Sequence, residues 1–156
     1  MVDVTGVDGL EFAVNLFGLE VANLSVYQSE VVNHSGQNVV VLRMCETNFR
    51  IAWVINEEPE KALGSLNAGR YKIGVKASIN QIPRLILEDC KLGIVTVSSS
   101  TKPPHRISDL SVGRAVPVRI AGYPALLWRY AVNDVPRIEI QARREHIEEF
   151  EKMWGL

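Results

Sequence analysis

Between Ser98 and Arg106 the chain reads Ser-Ser-Ser-Thr-Lys-Pro-Pro-His-Arg. Four hydroxyls stand beside Lys102, His105 and Arg106, directly after an apolar run. Hydroxyls and main-chain N–H groups donate to an anion, an arginine adds a planar fork and a lysine a point charge. Loops at the ends of strands are where such sites are commonly built. The candidate ligand-binding residues are therefore Ser99, Ser100, Thr101, Lys102, His105 and Arg106, with a phosphate or carboxylate as the ligand class. A solvated connection stiffened by Pro103 and Pro104 is the competing reading of the same residues.

Catalytic chemistry is thinner. No phosphate loop, dinucleotide fingerprint, His-Glu-x-x-His or Gly-x-Ser-x-Gly run occurs. His34, His105 and His146 stand far apart, with no second ligand at metal spacing, so no metal and no cofactor is expected. Ser100, His105 and Asp109 spell a triad on paper, but nothing nearby signals a strained nucleophile turn. Cys45 lies beside Glu46, and Cys90 follows Glu88 and Asp89. Neighbouring carboxylates raise a thiol's pKa, the wrong direction for a nucleophile. Both cysteines read as reduced and buried. No catalytic residue is assigned, and the sequence leans against an enzyme. Trp128-Arg129-Tyr130 sends both rings to one side of a strand and the guanidinium to the other, which reads as core packing before nucleic-acid stacking.

The elements that position these residues follow from hydrophobic spacing. Leu10, Ala13, Val14 and Phe17 form one helical face, with Asp8 and Glu11 before it and Gly18 after it. Alternation predicts strands at 22–27, 39–44, 49–55 and 71–76 and a short helix over 59–66. Residues 85–87 read as a strand or as a helix starting near Pro83, and 92–98 as a strand. Strands are predicted at 116–120, 125–132 and 137–141, and a helix at 143–154 with Ile147, Phe150, Met153 and Trp154 on one side. The whole is α+β: a mainly antiparallel sheet of about six to eight strands flanked by short helices, in one compact domain over 1–156. Val39–Leu63 and Ala125–Phe150 both read strand, turn, strand, helix, about 86 positions apart. Pseudo-repeats over 8–76 and 92–156 are the alternative organisation.

The composition is that of an ordinary globular chain, with 47% apolar and 22% charged residues among 156, and net charge −1. It excludes disordered and uniformly basic proteins. The balance hides an asymmetry: residues 1–68 carry three cations and nine acids, residues 69–156 fourteen and nine. The N-terminal residues lack a basic stretch followed by an apolar one, and no apolar run approaches membrane length, which points to a cytoplasmic chain away from the membrane.

The stretch from Val118 to Ala125, then Trp128, Ile138–Gln141 and Glu145–Met153, resembles the ending of PsbP-like α/β/α proteins: a strand, a glycine turn, a long hairpin bearing an aromatic and a closing amphipathic helix. The resemblance covers about a quarter of the chain and departs from the group in lacking an export signal or lipid-attachment cysteine. It implies an accessory or binding role. The expected function is a non-catalytic binding or assembly module, a homo-oligomer or a complex subunit with protein partners rather than nucleic acid. The alternative is an enzyme or sensor for a small anion held by the Ser98–Arg106 loop.

Overall fold

A computed structural model describes residues 1–53, 71–77, 83–102 and 105–156. The chain divides into two compact units, Met1–Asn80 and Gln81–Leu156. Each is built on a five-stranded antiparallel sheet, so the architecture is α+β with short flanking helices. Among the described residues, no helix is long and apolar enough to cross a membrane.

In the first unit, β1 (Val2–Thr5) leads through α1 (Gly9–Phe17) and a 3-10 turn at Leu19–Asn23 into a meander. The meander is β2 (Ser29–His34), β3 (Gln37–Arg43) and β4 (Phe49–Trp53), and β5 (Gly74–Ala77) follows. The strand order is β2-β3-β4-β1-β5. Of the expected face of α1, Ala13 and Phe17 are buried and Leu10 and Val14 half-buried; Phe12, not on that face, joins Ala13 and Phe17 in the core with Val2, Val4, Val39, Val41, Phe49 and Ile51. Asp8 stands at the N-cap position as expected, but its side chain makes no capping bond; its carboxylate accepts the Lys72 main-chain N–H at 2.7 Å.

The second unit runs β6 (Arg84–Glu88), α2 (Leu92–Ser98), β7 (Ser99–Ser100), β8 (Arg114–Ile120), β9 (Tyr123–Val132), β10 (Val135–Gln141) and α3 (Arg144–Trp154). Its order is β6-β10-β9-β8-β7. Val95 of α2 and Ile147 and Phe150 of α3 close over Val116, Val118, Ile120, Leu127, Ile138 and Ile140.

The two units carry the same hairpin. Ser29 pairs with Leu42 and His34 with Gln37; Ala115 pairs with Trp128 and Ile120 with Tyr123, each 86 positions on. Both hairpins turn in two residues with positive φ, Ser35-Gly36 (52° and 83°) and Ala121-Gly122 (49° and 87°). Two-residue turns of this hand match strand twist and so fix the register. An arginine then holds the bend that enters each meander. Arg43 Nη1 donates to the Leu24 carbonyl at 2.7 Å, and Arg129 Nη1 to the Leu110 carbonyl at 2.7 Å. The Tyr27 N–H donates to the Arg43 carbonyl at 2.7 Å and the Gly113 N–H to that of Arg129 at 2.8 Å. Tyr27 and Gly113 both sit at positive φ, 62° and 82°. Leu-Ser-Val opens both segments, at 24–26 and at 110–112.

The remaining bonds of the two arginines differ. Arg43 also donates to the carbonyls of Ala22, Cys45 and Glu46 at 3.3, 3.2 and 2.9 Å. Arg129 grips Asp89 through both carboxylate oxygens at 2.7 and 2.8 Å.

Several elements differ from the sequence expectation. Residues 92–98 form a helix despite four β-branched residues, Ile94 to Val97, which favour strands. Val95 is drawn fully into the core, and the hydroxyls of Thr96 and Ser98 bond back to the carbonyls of Leu92 and Ile94. Residues 19–23 are a 3-10 turn rather than the start of a strand, and the strand begins at Ser29. The alternation of Val2 and Val4, unread in the sequence, marks a strand that pairs with both β4 and β5. Residues 84–88 are a strand. Cys45 and Cys90 are free but exposed, not buried. The predicted helix over 59–66 lies outside the described residues. Dividing at the unit boundary leaves six cations and nine acids in the first unit and eleven and nine in the second, a milder contrast than the division at residue 68.

The Arg129 hydrogen bonds hold the Asp89 carboxyl below its ordinary value, with burial opposing the shift. Its contribution to stability is thus full above that ordinary value and lost as pH falls through the lowered one. Arg129→Ala is expected to cost about 2–3 kcal/mol at neutral pH, and Arg129→Lys to recover only part because a point charge cannot replace the fork. Urea unfolding of wild type and Asp89→Asn is expected to show a stability difference that shrinks towards about pH 3.

Candidate functional site

The Ser98–Arg106 segment leaves the end of α2, forms β7 and continues towards the bend before β8. Its hydroxyls point in different directions. Ser98 Oγ donates to the α2 carbonyls of Ile94 and Val95 at 2.9 and 3.2 Å and accepts the Trp154 indole N–H at 3.2 Å. Ser99 pairs with Ile120 and Ser100 with Arg119. The Ser99 Oγ is buried and has no hydrogen-bond partner among the described residues. Thr101 Oγ1 donates to the Pro117 carbonyl at 2.8 Å. Two of the four hydroxyls are therefore committed to main-chain oxygens, and a third faces inward. Ser100, Lys102, His105 and Arg106 are exposed. Arg106 stands 3.9 Å from the exposed carboxylate of Asp109, a surface pair of small energetic weight. Pro103 and Pro104 lie outside the described residues. The segment thus presents to solvent the Ser100 hydroxyl on β7 and, beyond it, the side chains of Lys102, His105 and Arg106.

A second cluster went unread in the sequence. Glu139 on β10 is fully buried. Tyr130 Oη donates to its Oε2 at 2.9 Å, Gln141 Nε2 donates to its Oε1 at 2.7 Å, and Arg84 Nη1 stands 3.6 Å away. Register places Glu139 opposite Trp128, whose ring lies 4.7 Å from that of Tyr130. The available signal was parity: Ile138 and Ile140 face the helices, so Glu139 shares the opposite face with Trp128 and Tyr130. Both carboxylate oxygens have donors, as a buried charge requires. The cluster orders the sheet, and Trp128 and Tyr130 are buried rather than offered to a base. Among the described residues, no group of three or more His, Cys, Asp or Glu side chains is placed to hold a metal ion.

Burial, with the adjacent Glu139 charge and its hydrogen bond, pushes the Tyr130 phenol well above its ordinary value of 10.0. The neutral phenol is the favoured form, so its contribution to stability is present below the ordinary value and lost as pH rises past it. Ultraviolet titration of the folded protein is expected to show one tyrosine still protonated above about pH 11, where a free phenol has ionised. That phenol is expected to be absent in Tyr130→Phe. Removal of the donor to Glu139 is expected to cost about 1–3 kcal/mol.

The class that this architecture defines is a pair of antiparallel α+β units with matched hairpins. No protein-family model matches the chain, and no curated protein matches it. Fourteen chains of solved structures match. One is the glycine cleavage system aminomethyltransferase T from Bartonella henselae, at TM-score 0.66 and 16% identity, over 95% of this chain and 41% of that one. At that identity the likeness is one of fold. The chain spans less than half the length of the aminomethyltransferase.

Proposed function

We propose that this chain is a non-catalytic binding or assembly module of the cytoplasm, working as a homo-oligomer or as a subunit of a complex. The observation that carries this reading is apolar side chains left in solvent in the second unit. Val97 on α2 is 90% exposed, with Ile94 one turn before it. The end of α3 is joined to α2 by the Trp154–Ser98 hydrogen bond and adds exposed Met153 and Leu156. Contiguous exposed apolar residues mark interaction surfaces more often than isolated ones do. The likeness to the aminomethyltransferase supports the same reading, because there this fold occupies 41% of a longer chain.

Size-exclusion chromatography with light scattering, at low and high salt, tests assembly. A mass above the monomer in both is expected, since apolar burial is not screened by ions. A strict monomer at high concentration in both overturns self-association.

The alternative reading, a small-anion site, draws support from the exposed side chains of Lys102, His105 and Arg106. Thermal-shift measurements with phosphates, nucleotides and carboxylates test it. A rise in melting temperature that disappears in Arg106→Ala supports a site, because a ligand selective for the folded state stabilises it. No rise with any of them removes the reading.

A further inference from the structure

Among the described residues, β2 is one of the two edge strands of the first sheet, with β5 the other. Its counterpart 86 positions on, β8, is not an edge: β7 pairs with it through Ser99↔Ile120 and Ser100↔Arg119. The Ala121 N–H donates to the Ser98 carbonyl at 3.1 Å on the same side. β8 is guarded a second time by Pro117, which has no N–H to offer. Pro117 stands opposite Leu126 as Val31 stands opposite Val40. At that position β2 therefore has a valine, 38% exposed, where β8 has a proline. Unprotected edges of this kind pair with further strands, and proteins that avoid such pairing use proline, lysine or a covering segment.

The direction of the open groups follows from the hairpin. The residues that flank a two-residue turn exchange hydrogen bonds, so His34, Val32 and Glu30 turn their main-chain groups towards β3. Val31 and Asn33 turn theirs outward.

We propose that β2 is a homodimerisation edge, to which β2 of a second copy adds antiparallel with Val32 opposite Val32. In this register Val31 and Asn33 of one copy exchange hydrogen bonds with Asn33 and Val31 of the other. Glu30 of each copy stands opposite His34 of the other, and the pair is made twice. That complementarity selects a second copy over an unrelated strand. Opposed cross-strand residues lie about 5 Å apart, within reach of a carboxylate–imidazole contact. The two five-stranded sheets then run on as one. The proposal rests on the assembly reading above for self-association, and its surface is β2 of the first unit rather than the exposed apolar residues of α2 and α3.

Light scattering on the full chain tests it. Wild type is expected to be a dimer, and Val31→Pro and Val31→Lys monomers with unchanged circular dichroism. Val31→Pro copies a residue that β8 already accommodates, and Val31→Lys keeps the N–H should the proline variant fold poorly. Glu30→Lys is expected to raise the dimer dissociation constant about tenfold, from two cross-strand pairs lost together. Glu30→Lys with His34→Glu is expected to restore it. A wild-type dimer that survives both Val31 variants overturns the β2 edge and leaves assembly standing. A wild-type monomer at every concentration overturns both. A double variant as weak as Glu30→Lys overturns the Val32-centred register.

Discussion

A guanidinium at the same strand position in each unit takes the carbonyl of the bend that feeds the meander. Arg43 reaches Leu24 and Arg129 reaches Leu110, both at 2.7 Å. A main-chain carbonyl withdrawn from water without a donor costs as much as a lost hydrogen bond. Without the arginine, the carbonyl of the bend approaching β2 or β8 would lose its side-chain donor, at a cost of about 1–3 kcal/mol. The positive φ at Tyr27 and Gly113 belongs to the same device, since it aims an N–H back at the arginine's carbonyl. Turn, register and bend therefore act together, and the position of the Ser98–Arg106 segment beside β8 follows from them.

The regular part of this fold was legible because its signals were redundant. β3, β9 and β10 are strand-length apolar runs bounded by turn residues, α1 and α3 have one apolar face each, and the turns contain Gly36 and Gly122 where positive φ is needed. Where local preference and tertiary packing disagree, the sequence misleads. Val95, Thr96 and Val97 spell a strand, yet the core takes Val95 at helical spacing and the hydroxyl of Thr96 bonds to a carbonyl four residues back. Leu24 and Val26 also alternate, but Leu24 is buried at the end of a 3-10 turn and its carbonyl belongs to Arg43.

The candidate site was legible as a list of residue types and illegible as geometry. Nothing in Ser-Ser-Ser-Thr says which hydroxyls are already engaged: Thr101 donates to the carbonyl of Pro117, and Ser98 accepts the Trp154 indole N–H, both partners distant in sequence. Glu139 was hidden for the opposite reason. A glutamate between two isoleucines reads as a solvated position, and only pairing with Trp128 places it in the interior. The charge division also looks different once the unit boundary is known, because Arg70, Lys72 and Lys76 belong to the acidic unit.

The two arginines differ in what constrains their surroundings. Among the described residues, the hydrogen bonds of Arg43 go to main-chain oxygens, at Ala22, Leu24, Cys45 and Glu46, and its guanidinium lies 5.9 Å over the Phe49 ring. Those oxygens persist whatever side chains the positions carry, so the surface around the first bend is free to diverge while its path stays fixed. Arg129 depends on the carboxylate of Asp89, and neither can change without the other. The first bend thus asks little of the side chains around it, and the second is tied to one carboxylate.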